Sequence, residues 1–320
     1  MGRYVTRRLL QAIPLLILLS LFLFTLIHLM PGGPEGVLFN PRLSASGRAA
    51  LRASFGLDDP VWLQYFKWAG NMLVGNFGFS FTTYQPVSDI IAVRFPLTLE
   101  LFGYAFALAL IVAVTLGMIS AMRHRTITDY TLTTLSYFGV SMPIFIFGLL
   151  AQDVFGVQLH LLPTSGTSTP GFVFDPFNAF LDHFLHLLLP MLVLSITFIA
   201  SWSRYMRSSM LDVVKQDYMR TARAKGVPPV RALISHAMRN ALIPLITVVA
   251  LDFGAVVGGA TITEGIFNWP GMGSLVIDSL DARDYPVLMA ILVLGSVFVI
   301  AFNLIADILY AVVDPRIRYS

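Results

Sequence analysis

The sequence predicts an all-α polytopic membrane protein with six transmembrane helices and a helical insertion after the first helix. Of its 320 residues, 56% are apolar and only 12% are charged, whereas soluble domains carry about 25% charged residues. Uncharged runs long enough to cross a bilayer recur along the chain, and the basic residues concentrate in alternate connecting segments. So little charge cannot cover a water-facing surface, which argues against a soluble globular enzyme.

The length of the apolar runs sets the number of spans. An α-helix needs about 20 apolar residues to cross a hydrocarbon core of about 30 Å. Runs of this kind predict spans near residues 9–30, 97–122, 131–153, 183–203, 241–263 and 287–313. Another run, 154–174, is expected to be a loop because its 161–171 part is rich in Gly, Pro, Ser and Thr. The first run is longer than a signal-peptide core and no Ala-x-Ala site follows, so we expect an uncleaved helix.

The basic residues predict the orientation of these spans. Fifteen of the 21 Lys and Arg lie at the two termini and in the segments after the second and fourth spans. By the positive-inside rule, that face and both termini are cytoplasmic. The excess of cations therefore reflects topology, and we expect no nucleic-acid partner.

The polar segment 31–96 separates the first two spans and is predicted to form an extracytoplasmic insertion. Residues 43–55 favour a short helix closed by Gly56, and Asp59-Pro60 predicts the capped start of a second helix. Apolar residues follow this start at helical spacing: Trp62, Tyr65, Phe66, Ala69, Met72 and Leu73. They could pack against the spans, contact a partner or substrate, or anchor the helix at the membrane interface. The chain is therefore predicted to have three parts. Residues 1–30 contain the cytoplasmic N-terminus and the first helix, residues 31–96 form the insertion, and residues 97–320 form a core that contains the loop 204–240.

A second segment outside the spans follows the fifth of them. The run Glu264-Gly-Ile-Phe-Asn-Trp-Pro-Gly-Met-Gly273 requires a turn, while Phe267 and Trp269 are expected to be buried. The segment could re-enter the membrane edge or pack on the fifth helix.

The longest cytoplasmic segment, 203–240, holds eight of the fifteen bases on that face. We expect a helix over 211–225, a stop at Gly226 and a second short helix from Pro228-Pro229. We name residues 217–226 the coupling segment. Its candidate contact residues are Asp217, Tyr218, Arg220, Thr221, Ala222, Arg223, Ala224, Lys225 and Gly226. A slim basic helix could enter a groove on a cytosolic partner, or it could lie on anionic lipid headgroups.

The coupling segment resembles that of a known family. Arg220-Thr-Ala-Arg-Ala-Lys-Gly226, His236-Ala-Met-Arg-Asn-Ala241 and Pro244 are similar to the coupling loop of ABC-transporter permeases of the dipeptide, oligopeptide and nickel uptake branch. The broad importer consensus has Glu-Ala-Ala where this chain has Arg220-Thr-Ala222, a departure that agrees with the peptide branch. The agreement extends to Gly56-Leu-Asp-Asp-Pro60, Gln64-Tyr65, Gly75-Asn-Phe-Gly-Phe-Ser80, Ser141-Met-Pro143, Arg207-Ser-Ser-Met210, Ile266-Phe-Asn-Trp-Pro-Gly271, Asp284-Tyr-Pro286 and Asp314-Pro-Arg-Ile-Arg318. The long insertion resembles that of the B-type subunit.

The resemblance implies the fold of a type I ABC importer permease in a prokaryotic cytoplasmic (inner) membrane. It also implies a second, C-type permease subunit, two ATPase subunits, a substrate-binding protein on the outer face and a peptide substrate. ATP hydrolysis would belong to the ATPase subunits, and the chain contains no Gly-x-x-x-x-Gly-Lys-[Ser/Thr] motif. We therefore expect no catalytic residue, cofactor or metal in this chain.

Polar residues inside the predicted spans are further candidates. Asp252, in the fifth span, could line the translocation path and meet the cationic N-terminus of a peptide, or it could join helices as a protonated or paired group. Asp307 is expected to pair with a cytoplasmic base. Small residues give the fifth span a face for close helix packing: Gly254, Ala255, Gly258, Gly259 and Ala260.

Three other functions compete with peptide import. His183 and His186 stand at metal-ligand spacing beside Asp182, and nickel or another small solute of the same branch is the alternative cargo; two histidines without a third ligand nevertheless favour packing. An ion-coupled carrier or channel would be expected to show more charges within the membrane or an internal repeat. An intramembrane enzyme is disfavoured because Ser195 and Ser201 have no acid or histidine beside them.

Overall fold

The computed structural model describes residues 2–29, 56–172, 175–233, 237–254, 256 and 260–313. Throughout these residues the regular structure is helical, which confirms the predicted all-α class; strand pairing among them is limited to an isolated bridge between Phe79 and Pro86. The helices are α1 Gly2–Leu29, α2 Val61–Leu73, α3 Val87–Met122, α4 Ile127–Ser141, α5 Ile144–Ala151, α6 Pro176–Val214, α7 Asp217–Ala224, α8 Pro229–Ala232, α9 Met238–Gly254, α10 Thr261–Ile266, α11 Met272–Asp281 and α12 Tyr285–Val313.

Three helices in the described part of the chain are long and apolar enough to cross a membrane unaided: α3, α6 and the Tyr285–Ile305 part of α12. α3 and α6 contain the predicted second and fourth spans, and the Tyr285–Ile305 part of α12 covers residues 287–305 of the predicted sixth span. In α1 the apolar stretch Leu10–Leu26 is shorter, and Pro14 lies within the helix. α3 begins ten residues before its predicted span, and α6 continues eleven residues past its predicted span. These extensions carry polar residues.

The predicted third span is not one straight helix. α4 ends at Ser141, α5 begins at Ile144, and the two are bent by 97°. Proline disfavours helical backbone in the residue before it, and Met142 is indeed extended, with φ −84° and ψ 126°. After α5 the chain continues through the π-helical residues Gln152–Gln158. The loop that was predicted to begin at residue 154 therefore begins about five residues later, after Gln158.

Within the predicted fifth span, 241–263, the structure describes residues 241–254, 256 and 260–263. They include most of α9, Met238–Gly254, and the start of the short helix α10 at Thr261. Gly254 packs against α12, where an added Cβ would lie 3.3 Å from the Cβ of Phe302 and 3.4 Å from the Cα of Val299. This confirms the close helix approach expected from small residues at that position. Ala255, Gly258 and Gly259 lie outside the described residues.

The core forms where α3 and α4 pack against α6. The indole of Trp202 and the side chain of Met206, both on α6, are fully buried in the main apolar cluster. Glycines allow the close contact: a Cβ at Gly117 would lie 2.6 Å from the Cβ of Met206, and one at Gly139 would lie 2.9 Å from the Cβ of Ala200. α3, α4 and α6 are therefore tightly packed against one another, so a displacement of one helix must shift the others.

The described part of the insertion contains α2, which packs on α1 and the start of α12. Tyr65 accepts or donates a 3.0 Å hydrogen bond with Ser20 of α1, and Met72 contacts the buried cluster around Tyr285. Three other apolar residues of the predicted helical pattern do not pack in this way and are exposed: Trp62, Phe66 and Leu73. The helix predicted over 43–55 lies outside the described residues.

The capping prediction for α2 was wrong in detail. Pro60, rather than Asp59, occupies the N-cap position, and no side chain caps the helix. The Asp59 carboxylate instead accepts a 2.6 Å hydrogen bond from Lys67. The Lys67 ammonium, about two helical turns along the chain, competes with the backbone N–H groups of the first turn for this carboxylate.

Two buried polar clusters lie along α3, one about three turns after its start and one in its last turn. Thr98 lies in the first and contacts Glu264, whereas Ser120 lies in the second and contacts Asp129. The two residues are 22 positions apart, which corresponds to about 33 Å along a helix. This separation is close to the thickness of a bilayer core.

Candidate coupling and translocation sites

The coupling segment forms a short separate helix. The continuous helix predicted over 211–225 was wrong, because α6 ends at Val214 and α7 begins at Asp217 after a break at Lys215 and Gln216. The end of α7 was predicted correctly: Gly226 has a φ of +75°, the left-handed conformation typical of a glycine stop. The short helix expected from Pro228-Pro229 is α8, Pro229–Ala232.

One apolar side chain anchors α7 to the helical core. Met219 is fully buried in the main apolar cluster. The same cluster includes Ala237 and Ala241, beside and within the start of α9. A second tie is polar: Asn240 donates a 2.8 Å hydrogen bond from Nδ2 to the hydroxyl of Tyr218. Neither Met219 nor Asn240 was among the predicted site residues. Met219 could have been predicted as an anchor, because it is an apolar residue within a basic helix.

The rest of the coupling segment is exposed. Asp217 and Arg220 form a 3.4 Å ion pair with side chains 95% and 76% exposed, which leaves both groups available to a partner. Thr221, Ala224, Lys225 and Gly226 are also exposed. The side chains of Ala222 and Arg223 lie outside the described set. An exposed, polar helix that is anchored by Met219 and by the Asn240–Tyr218 hydrogen bond is suited to docking on a partner.

Asp252 lies in the last described turn of α9. Its carboxylate accepts a 2.7 Å hydrogen bond from Nε1 of Trp202, so it joins α9 to α6. Trp202 is fully buried, and its ring packs edge-on to Phe106 with centroids 5.0 Å apart. Asp252 itself is partly exposed. The geometry is compatible with both sequence hypotheses, a joint between helices and a carboxylate accessible to a substrate.

The segment 264–273 packs on α3 and α5, and Trp269 shares the main apolar cluster with Leu245 of α9. Phe267 and Trp269 are buried, as predicted, and Trp269 donates a 3.0 Å hydrogen bond to the carbonyl of Leu97. Glu264 is fully buried, which the sequence reasoning missed. It accepts hydrogen bonds of 2.9 Å from the Thr98 hydroxyl and from the backbone N–H of Ser274.

The two histidines of the Asp182-His183-x-x-His186 motif have separate protein partners. His183 contacts the Glu100 carboxylate at 2.9 Å and the carbonyl of Thr167, also at 2.9 Å. His186 bonds the backbone carbonyl of Asp182 at 2.8 Å. Among the described residues, no group of three His, Asp or Glu side chains converges in a way that could hold a metal ion. The side chain of Asp307 lies outside the described set.

Comparison with known proteins covers the whole chain. The family described as binding-protein-dependent transport system inner membrane component matches residues 113–319, and the N-terminal part of such membrane components matches residues 1–102. The chain is 44% identical to the oligopeptide transport system permease protein AppB of Bacillus subtilis over 320 residues. It is 43% identical to a putative peptide permease protein of Brucella ovis and 39% identical to the glutathione transport system permease protein GsiC of Escherichia coli K12.

All three alignments span 100% of this chain and 100% of the relative. The paired helices α3 and α6, the bent third span and the exposed helix α7 are thus those of a transport component that resides in a membrane. The chain belongs to the family of binding-protein-dependent transport system inner membrane components.

Proposed function

We propose that this chain is a transmembrane subunit of an ATP-driven importer and forms part of the translocation path for di- or oligopeptides. The relatives that match it from end to end are named for oligopeptide, peptide and glutathione transport, and glutathione is itself a tripeptide. These names favour peptides over nickel or another small solute. They also favour ATP-driven import over an ion-coupled carrier or a channel.

The exposed helix α7 is the observation that carries the coupling role. Residues 217–226 would dock into a groove of an ATPase subunit, with Arg220 and Lys225 as cationic contacts. The buried Met219 ties this helix to the transmembrane core, so a push on α7 is passed to α9 and α6 instead of being lost in a flexible loop. A helix lying passively on lipid would need no such anchor.

The remaining partners follow from the same proposal. A second, C-type permease subunit would complete the path, two ATPase subunits would hydrolyse ATP, and a substrate-binding protein would deliver peptide from outside. This chain would contribute no catalytic group and bind no cofactor. Both termini and the loop 204–240 would be cytoplasmic, with 31–96 as the extracytoplasmic insertion and 97–320 as the permease core.

Asp252 is the residue that we assign to the path. Its carboxylate is fixed by the indole N–H of Trp202 and remains partly exposed. A fixed carboxylate within a membrane protein would attract the ammonium group of a peptide N-terminus.

Reconstitution tests the proposed function. The tagged chain is co-expressed with the candidate partner subunits, purified, and placed in proteoliposomes with the binding protein. We expect the ATPase subunits to co-purify and labelled peptide to accumulate only when ATP is supplied on the side of α7. Uptake that persists without ATP, or purification of the intact chain without any ATPase subunit, would contradict the proposal.

A further inference from the structure

A buried ion pair joins three helices at the α7 end of the bundle. The Asp129 carboxylate, in the first turn of α4, is only 2% exposed. It accepts two hydrogen bonds from Arg207 of α6, 2.7 Å from Nε and 2.8 Å from Nη2. It also accepts a 2.5 Å bond from the hydroxyl of Ser120, in the last turn of α3, and a 2.9 Å bond from the backbone N–H of Arg125.

The geometry of this pair resists rotation. A guanidinium that meets a carboxylate through two parallel bonds fixes both the distance and the relative orientation of the two groups. Because the carboxylate is buried, separating the pair would leave an unpaired charge away from water. His124 is the other titratable group facing the carboxylate, with Nδ1 3.3 Å from it. The pair therefore behaves as a joint rather than as a loose surface contact.

The position of Arg207 connects this joint to the coupling segment. α6 runs seven residues past Arg207 to Val214, about 10 Å of helix, and α7 begins three residues later. Above Arg207, α6 is held against α3 by the contact at Gly117 and against α4 by a 3.0 Å hydrogen bond between Ser203 and Ser136. Apolar side chains of α6 between Arg207 and α7, including Met210, also pack in the main cluster. Among the described residues, Arg207 makes the polar contact between α6 and the α3–α4 pair that lies nearest to α7.

We propose that the Arg207–Asp129 pair is the joint through which movement of the coupling segment is passed to α3 and α4, so that Arg207 is a positioning residue for coupled transport. This inference rests on the proposed function and names the residues through which the movement passes. The pair sets how much substrate is moved for each ATP hydrolysed, while hydrolysis itself occurs elsewhere.

The test is the ratio of peptide uptake to ATP hydrolysis in proteoliposomes containing the full complex. Arg207→Lys keeps the charge but cannot form the paired bonds. We expect its ratio to fall by about fivefold or more, the lower end of typical coupling effects, while ATP hydrolysis continues. The matched control is Arg204→Lys: Arg204 lies one turn earlier, over the ring of Tyr137 at 5.1 Å, and has no acidic partner among the described residues. Its ratio should be unchanged.

A purely structural role gives a different result. Uptake and hydrolysis would then fall together with the amount of assembled complex, the ratio would stay at the wild-type value, and the inference would be overturned. If Arg207→Lys does not assemble, Ser120→Ala removes one donor to Asp129 and leaves both charges; a smaller fall in the ratio supports the joint, and no fall contradicts it. Failure of the proposed function is recognised separately, since the wild-type complex would then show no ATP-dependent uptake.

Discussion

The indole N–H of Trp202 donates a 2.7 Å hydrogen bond to the carboxylate of Asp252, and this bond joins α6 to α9. The donor is fully buried among aromatic rings, whereas the acceptor is partly exposed. One side of the carboxylate is therefore committed to the protein. The other side is available to a ligand or to a partner subunit.

Two substitutions separate the charge of Asp252 from its hydrogen bond. Asp252→Asn removes the charge but retains an oxygen that can accept from Trp202, so assembly should be normal. Peptide uptake should fall about tenfold, because a hydrogen bond to a charged group contributes about 1.5–3 kcal/mol. Trp202→Phe keeps the charge and removes the donor, and should lower thermal stability more than uptake per folded complex. Unchanged uptake by a well-assembled Asp252→Asn complex would contradict the path assignment.

Met219→Ala tests the anchor of the coupling segment. Truncation of a fully buried Met costs about 2–5 kcal/mol, which here should loosen α7 rather than unfold the bundle. We expect ATPase subunits to bind more weakly in co-purification, while the thermal melting of the transmembrane part changes little. Gln216→Ala, at an exposed position directly before α7 and outside the coupling segment, is the control and should retain the ATPase subunits as wild type does. Equal retention of the ATPase by Met219→Ala and wild type would argue against the anchor.

Gly271→Ala tests the packing of the segment 264–273 on α3. An added Cβ at Gly271 would lie 2.5 Å from the Glu264 carboxylate, which is itself fixed by Thr98. Overpacking of this kind costs about 1–3 kcal/mol, so the detergent-solubilised protein should melt at a lower temperature. Gly103→Ala, in α3 with open space around it, should leave the melting temperature unchanged or raise it. A Gly271→Ala protein as stable as wild type would mean that the segment does not pack as described.

Labelling with a membrane-impermeant maleimide tests the orientation. The chain contains no cysteine, so a single introduced thiol reports one position. In intact cells, Thr83→Cys, near the start of α3, should be labelled, and Thr221→Cys should be labelled only after the membrane is opened. Both positions are exposed. The reverse pattern would place the loop 204–240 outside and would contradict the positive-inside assignment.

Several features were predictable because a local rule determines them. The stop at Gly226 and the start of α8 follow from glycine and proline chemistry within a few residues. The all-α class and the apolar cores of α3, α6 and α12 follow from apolar runs of bilayer length. These signals need no knowledge of what the helix packs against.

The features that sequence reasoning missed depend on contacts between distant positions. Asp129 and Arg207 are 78 residues apart, and each alone resembles an ordinary charge at a membrane boundary. Glu264 was treated as part of a turn because its partner, Thr98, lies on another helix. The bend at Pro143 was overlooked because the apolar run continues through it, although proline favours a break there.

The docking of the coupling segment on an ATPase subunit is tested most directly by cross-linking. A maleimide–amine cross-linker attached to Thr221→Cys should capture an ATPase subunit in the assembled complex. The same reagent on Thr115→Cys, an exposed position about two turns before the end of α3, should not. A cross-link from Thr221→Cys alone is the predicted result. Its absence in a complex that still contains the ATPase subunits would contradict the coupling role of residues 217–226.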